Sequence, residues 1–357
     1  MGTDGKRQAN FELLRIVAML MIISLHYLVK GGVATPFPFA VKDDPVGVFA
    51  WLIEAFCIVA VNCYVLISGY FLVESAWKPG RVVSLLSQVL FYSLLIPVCL
   101  LLTGVVSGGD LDVYDWIGFL FPFGTEHYWF ATAYLVMYLF APFLSAGIEK
   151  MKKRDLQILM ALLFTFFVLE KTILPLYLAT DRYGYDFGWF LCLFVMAGYI
   201  RLYGISWLEK QSNAVGAYVL SALLIWLLAL ASNTLGNTME TFTHYANMLY
   251  TYNHLLCLAG SVSLFYVFGN LRIQEGRFAG MVRKLAPYTF GVYLLHEHIL
   301  VRYEWMKWLG VEKAAKSFLF LPHLIGCVLF VYVAGTVVDA VRAWVFGRVV
   351  SVFEKDI

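Results

Sequence analysis

Two ionisable residues sit inside one apolar run. Residues 10–30 read NFELLRIVAMLMIISLHYLVK, with Arg15 and His26 embedded among hydrophobic neighbours. A charged or titratable side chain in a membrane helix is costly and marks a functional site by default. The two lie eleven positions apart. At about 100° per residue this makes three turns plus about 20°, so they share one helix face, about 16 Å apart along the axis. A guanidinium binds anions, and an imidazole moves protons near neutral pH. The bland alternatives are a snorkelling arginine near a helix end and a histidine that only bonds a neighbouring helix.

The second costly feature is His296-Glu297-His298, within APYTFGVYLLHEHILVR at residues 286–302. It is not the zinc-protease pattern HExxH, because position 300 is Leu. On a regular helix His296 and His298 point about 200° apart, so at most one joins Glu297 in a common cluster. Tyr293 lies within one turn of both His296 and Glu297 and is placed to orient either. Weaker marks follow. Asn62, Ser68 and Gly69 lie in NCYVLISGYFL, where glycine permits close helix approach and the serine reads as a packing hydrogen bond. Glu126 to Phe130 form an aromatic cluster whose simplest reading is a belt at the membrane interface. Glu170 and Lys171 are placed to neutralise one another. No GxSxG elbow, phosphate-binding Walker loop or paired-aspartate glycosidase pattern occurs.

The elements that must hold these residues are membrane helices. The 357 residues are 61% hydrophobic and only 14% charged, against about 25% charged in a soluble domain. The apolar stretches are continuous over helix-spanning lengths, which excludes a transmembrane barrel with its ten-residue alternation. The fold class is therefore all-α, a polytopic membrane protein with about ten spans. Those spans are 11–29, 47–72, 82–106, 127–146, 156–177, 187–203, 214–231, 247–268, 286–302 and 318–340. Segment 112–122 is too short to span and is expected at the interface or as a re-entrant piece. A single transmembrane domain covers 8–345, with short tails at 1–7 and 346–357. The first apolar run has no small-residue cleavage site and is expected to remain as helix one. The six cysteines all fall in apolar segments without a CxxC pair and read as small buried hydrophobes; neither a disulfide framework nor a metal site is expected.

Lysine and arginine orient the chain. With the N-terminus inside, inner segments carry seventeen of the 26 Lys and Arg and outer segments seven. The run Lys150 to Arg154 (KMKKR) weighs most. Both termini are expected to be cytoplasmic. All seven histidines then fall on the outward side: His26, His127, His244, His254, His296, His298 and His323. Glu54 and Glu170 also fall in the outer third of their helices. One side is equipped to bind an anion and the other to move protons. A transporter or flippase would use the same intramembrane charges as a substrate relay. An intramembrane protease would need a Ser/His or paired-Asp arrangement that the sequence lacks.

The ordered set FELLRIVAMLMIISLH, NCYVLISGYFL, HYWFATAYLVMYLFAPFL, GWFLCLFVMAGYIRLY and TFGVYLLHEH resembles the acyltransferase-3 family of integral membrane acyltransferases, over about residues 8 to 340. The resemblance implies a ten-helix fold in a bacterial cytoplasmic membrane. It also implies transfer of an acyl group, usually acetyl, from cytoplasmic acyl-CoA to a hydroxyl of an extracytoplasmic glycan or lipid-linked sugar. No metal or nucleic-acid partner is implied. Arg15 and His26 match the family's motif arginine and histidine. Lys78 and Arg81 match a basic pair before the third helix, with Lys in place of one Arg, so position 78 offers a point charge rather than a bidentate fork. On this resemblance Arg15, Lys78 and Arg81 are expected to bind acyl-CoA. His26, Glu297 and His296 are expected to be catalytic, and His127, Trp129, Glu54 and His254 to lie on the acceptor side. The family also contains the membrane half of serine-racemase-like resistance proteins, so membership alone leaves the reaction open.

Overall fold

The computed structural model describes residues 7–174, 182–236 and 239–353, and every regular element among them is helical. In chain order these are α1 (Ala9–Leu25), α2 (Pro45–Cys57), α3 (Ala60–Leu72), α4 (Pro79–Leu102), α5 (Val113–Leu120), α6 (Trp129–Lys150), α7 (Lys153–Phe164), α8 (Glu170–Ile173) and α9 (Phe187–Tyr203). There follow α10 (Gln211–Gly236), α11 (Glu240–Met248), α12 (Leu255–Gly269), α13 (Arg277–Leu285), α14 (Thr289–His296), α15 (Glu304–Trp308), α16 (Val311–Ala314) and α17 (Phe320–Phe353).

Seven helical runs among the described residues are long and apolar enough to cross a bilayer: Ala9–Lys30, Pro45–Leu72, Pro79–Leu102, Trp129–Lys150, Lys153–Ile173, Gln211–Gly236 and Phe320–Phe346. Two shorter apolar helices, α9 and α12, accompany them. The expected ninth segment, 286–302, is regular only over the eight residues of α14. At about 1.5 Å per residue α14 reaches only about 12 Å, well short of a bilayer core. Segment 112–122 forms α5, capped reciprocally by Asp112 and Asp115, with Tyr114 and Ile117 exposed and Phe119 buried. Segment 247–268 begins its helix later than expected, at Leu255, with His254 as the cap. Residues 175–177 of the fifth segment lie outside the described residues.

Local chemistry sets several boundaries. Asp44 accepts from the Gly47 amide at 2.7 Å and Pro45 opens α2, since a capping carboxylate satisfies an orphan amide and proline loses nothing at the first turn. Asp186 caps α9 in the same way through Trp189, and Gly204 at φ +63° ends it. Helix α1 stands centrally, in contact with α2, α3, α12, α13, α14 and α17. Helix α3 packs closely on α9 because residue 69 is glycine: a Cβ there would stand 2.8 Å from the Ala197 Cβ. Asn62 ties this region together. It accepts from the Trp189 indole at 2.9 Å and donates to the Tyr252 carbonyl at 2.8 Å and the Ser261 hydroxyl at 3.1 Å. Buried Asn62 is thus satisfied inside the helix bundle, as buried polar groups must be, whereas Ser68, expected as a packing hydrogen bond, lines a cavity instead.

Candidate active site

Helix α1 does not end as a regular α-helix. Residues His26–Lys30 form one π-helical turn, a local widening often found at functional positions. Sequence pattern carried no sign of it. The wider turn aims both His26 and Lys30 at one carboxylate. His26 Nδ1 lies 3.2 Å from Glu297 Oε1, and Lys30 Nζ lies 2.5 Å from the same oxygen. His26 Nδ1 is also 3.1 Å from His296 Nε2. Glu297 and His296 are both buried.

The hydrogen-bond pattern assigns the tautomers. His296 Nδ1 lies 2.6 Å from the Val292 carbonyl, which can only accept, so this nitrogen carries the proton. In neutral His296, Nε2 is then the acceptor, and His26 Nδ1 must donate to it. His26 Nδ1–H is shared between His296 Nε2 and Glu297 Oε1. That leaves the lone pair of His26 on Nε2. The three groups bring their ligand atoms within 4.8 Å of one another, close enough to hold a metal ion. A cation there would compete with the Lys30 ammonium for Glu297 Oε1, so the donor set fits proton handling better than metal binding.

Helix α14 ends at His296, and the chain turns sharply at Glu297 (φ −99°, ψ 4°). His298 therefore leaves the site. Its Nδ1 accepts from the Leu300 amide, and Nε2 faces the Ser93 carbonyl at 3.4 Å. It packs against His127, with ring centroids 4.5 Å apart. The two histidines of the triad part company, and His296 is the one beside Glu297. His127 precedes α6, and burial together with Arg302 lowers its pKa to about 4, so it stays neutral at physiological pH.

A cavity of about 1620 Å³ connects these groups to a basic end. Arg15, Met19, Ile22 and His26 all line it. Their spacing of four, three and four residues puts one stripe of α1 along the wall. Arg7, Arg81, Arg201 and Arg272 line it as well, from positions at or near helix ends. Glu12, buried and unforeseen from the sequence, pairs with Arg15 at 3.4 Å and with Arg7 at 3.5 Å. Arg201 bonds Glu74 and lies over the Tyr70 ring at 4.9 Å.

The remaining expected site residues are placed differently. Lys78 is exposed and does not line the cavity; its carbonyl accepts from Tyr138. Trp129 lines the cavity instead of standing apart as a belt residue. Glu54, His127 and His254 are buried outside the lining. The Glu54 carboxylate has one oxygen without a hydrogen-bond partner. His254 accepts from the Leu256 amide as a helix cap. Lys30, counted from the sequence only as a loop charge, is, beside Glu12, a residue that sequence reasoning missed. Its signal was its place four residues beyond His26, at the end of an apolar run.

The fold and cavity define a multi-pass, all-helical membrane protein with a buried imidazole–carboxylate site. The chain belongs to the acyltransferase-3 family: that family's acyltransferase-domain model matches residues 8–342. Neither the curated proteins nor the solved structures yield a match. Membership makes the chain a membrane acyltransferase.

Proposed function

We propose that this acyltransferase takes an acyl group, acetyl, from cytoplasmic acyl-CoA and places it on a hydroxyl of an extracytoplasmic glycan or lipid-linked sugar. The observation that carries this reading is the continuity of one cavity from Arg15 and Arg81 to His26. On this reading the termini and the basic end are cytoplasmic. The phosphates of the donor meet Arg15 and Arg81, where charge-assisted hydrogen bonds are strong. The thin pantetheine arm lies along Met19 and Ile22 and brings the thioester to His26.

His26 Nε2 then removes the proton of the acceptor hydroxyl, and the oxygen attacks the thioester carbonyl. As the C–S bond breaks, the imidazolium returns its proton to the departing thiolate. Glu297 and His296 hold His26 Nδ1–H throughout and favour the imidazolium that forms. Lys30 balances the buried Glu297 charge in the resting state. A general base supplies about 10² to 10⁴ in rate.

The test is transfer of labelled acetyl from acetyl-CoA by the purified protein. His26→Ala is expected to reduce it about 10²- to 10⁴-fold, with donor binding retained. Transfer at the wild-type rate rejects the role given to His26. Substrate flux in proteoliposomes without acetyl-CoA, and no ester in the surface glycans, would instead favour a transporter or flippase.

A further inference from the structure

Beyond the base and its partners, the cavity wall carries a built aromatic surface. Trp129 opens α6, Tyr185 stands in the turn before α9, and Tyr252 stands in the turn before α12. Trp129 and Tyr252 line the same cavity as His26. Their rings lie 5.8 Å apart with planes only 22° from parallel. Tyr185 tilts against both, with centroids 4.6 Å from each, and is about two-fifths exposed.

The surrounding structure fixes these rings. The Tyr252 carbonyl accepts from buried Asn62, and the Tyr252 amide bonds the Tyr183 carbonyl at 3.2 Å. Gly184, at φ +82°, lets that turn lie against Tyr252, where an added Cβ would stand 2.8 Å from the Tyr252 Cβ. The Trp129 indole N–H has no hydrogen-bond partner among the described residues and is not sealed from the cavity. A continuous row of rings runs from Trp129 through Phe130, Tyr293 and His296 to His26, each step between 5.2 and 6.3 Å.

We propose that Trp129, Tyr185 and Tyr252 form the platform on which a pyranose ring of the acceptor stacks. This rests on the acyl-transfer reading and names the chemistry of its second substrate. A pyranose has an apolar C–H face and a rim of hydroxyls. The platform offers the complement: the half-buried Trp129 ring on the cavity wall with its unpaired indole N–H and the exposed Tyr185 ring beside it, both backed by buried Tyr252. It is a floor and not a cage: at 5.8 Å the near-parallel Trp129 and Tyr252 rings leave no room for a guest between them. A quaternary ammonium, which prefers faces on several sides, fits it less well than a sugar. The three rings come from three separate junctions, and two of them, Trp129 and Tyr252, line the cavity that His26 also lines, where the acceptor hydroxyl must arrive.

The experiment uses the full chain in nanodiscs with radiolabelled acetyl-CoA and, as probe, the envelope polysaccharide isolated from a strain lacking the gene. Trp129→Ala and Tyr252→Ala are expected to raise the KM for the polysaccharide about tenfold or more, as truncating aromatic anchors does elsewhere. The Kd for acetyl-CoA stays unchanged, and Trp129→Phe restores most of the loss. Unchanged KM in the alanine variants overturns the platform. So does a parallel loss of donor binding in every variant, Trp129→Phe included. Wild-type transfer to an amine or a lipid alcohol with none to sugar overturns the platform while leaving acyl transfer standing. A wild-type protein that labels nothing overturns both.

Discussion

At the residue scale the site turns on a single oxygen, Glu297 Oε1, which Lys30 Nζ and His26 Nδ1 both approach. A buried carboxylate without its cation is strongly destabilising, and so is a buried cation without its carboxylate. Glu297→Gln keeps the shape and removes the charge, stranding Lys30. We expect it to cost on the order of 3 kcal/mol of stability as well as most of the transfer rate. Lys30→Met combined with Glu297→Gln should be more stable than the sum of the single effects by about 1 to 3 kcal/mol. Detergent-solubilised thermal melts of the four proteins measure the coupling, and strict additivity would show that the pair does not interact. At the basic end the expectation separates two residues that the sequence pattern treats alike. Arg81 lines the cavity and Lys78 does not. Arg81→Ala should weaken acetyl-CoA binding about tenfold or more, the worth of one hydrogen bond to a charged group. Lys78→Ala should leave it within a factor of about two, as for an exposed charge. Equal losses would place the donor phosphates elsewhere.

At the scale of elements, the site depends on where α14 sits. This short helix carries His296 at its end and is held against α17 by close packing. A Cβ at Gly335 would stand 2.9 Å from the Val292 Cα. A Cβ at Gly291 would fall on the Asp339 carboxylate. Buried Asp339 in turn accepts from Gln88 and Tyr92 of α4, both at 3.0 Å, and pairs with Arg342. Gly291→Ala is therefore expected to cost about 1 to 3 kcal/mol, as overpacking does, and to lower transfer without touching a reacting group. A normal melt and a normal rate together would contradict this. The same elements show what could be read from the chain. The Arg15–His26 face was legible because helix periodicity fixes which residues share a side. The parting of His296 and His298 was expected from a regular helix, but the structure separates them by another route, ending α14 at His296 and turning at Glu297. What ends α14 at His296, and what winds His26–Lys30 into a π turn, comes from packing against other helices, so no local pattern announced either. Glu12 was passed over although its partners are local, Arg15 one helical turn on and Arg7 five residues before it, because an acidic residue in a first helical turn reads as a favourable dipole contact.

For the whole molecule, one stripe of α1 runs along the cavity between two chemically different ends. The charge count along the sequence set basic residues apart from the histidines, but it carried no sign of the cavity that lies between Arg15 and His26. The structure leaves that space open, walled on one side by Met19 and Ile22. If the acyl donor reaches His26 through this passage, its width at Ile22 limits the reaction independently of binding at the arginines. Ile22→Trp adds a ring to this stripe two turns from Arg15 and one turn from His26. We expect this variant to lose less affinity for acetyl-CoA than Arg81→Ala does, because on the proposed reading it keeps the phosphate contacts and disturbs only the seat of the pantetheine arm. Transfer should fall about a hundredfold, since misplacing a reacting group by about 1 Å already costs this much. Ile22→Ala, which widens the passage, should keep transfer of acetyl and accept longer acyl chains from their CoA thioesters. Acetyl-CoA binding and acyl transfer measured on the same preparations decide the matter. A tryptophan variant with unimpaired transfer would mean that the donor takes another route, and that Arg15 and His26 share a helix face without sharing a substrate.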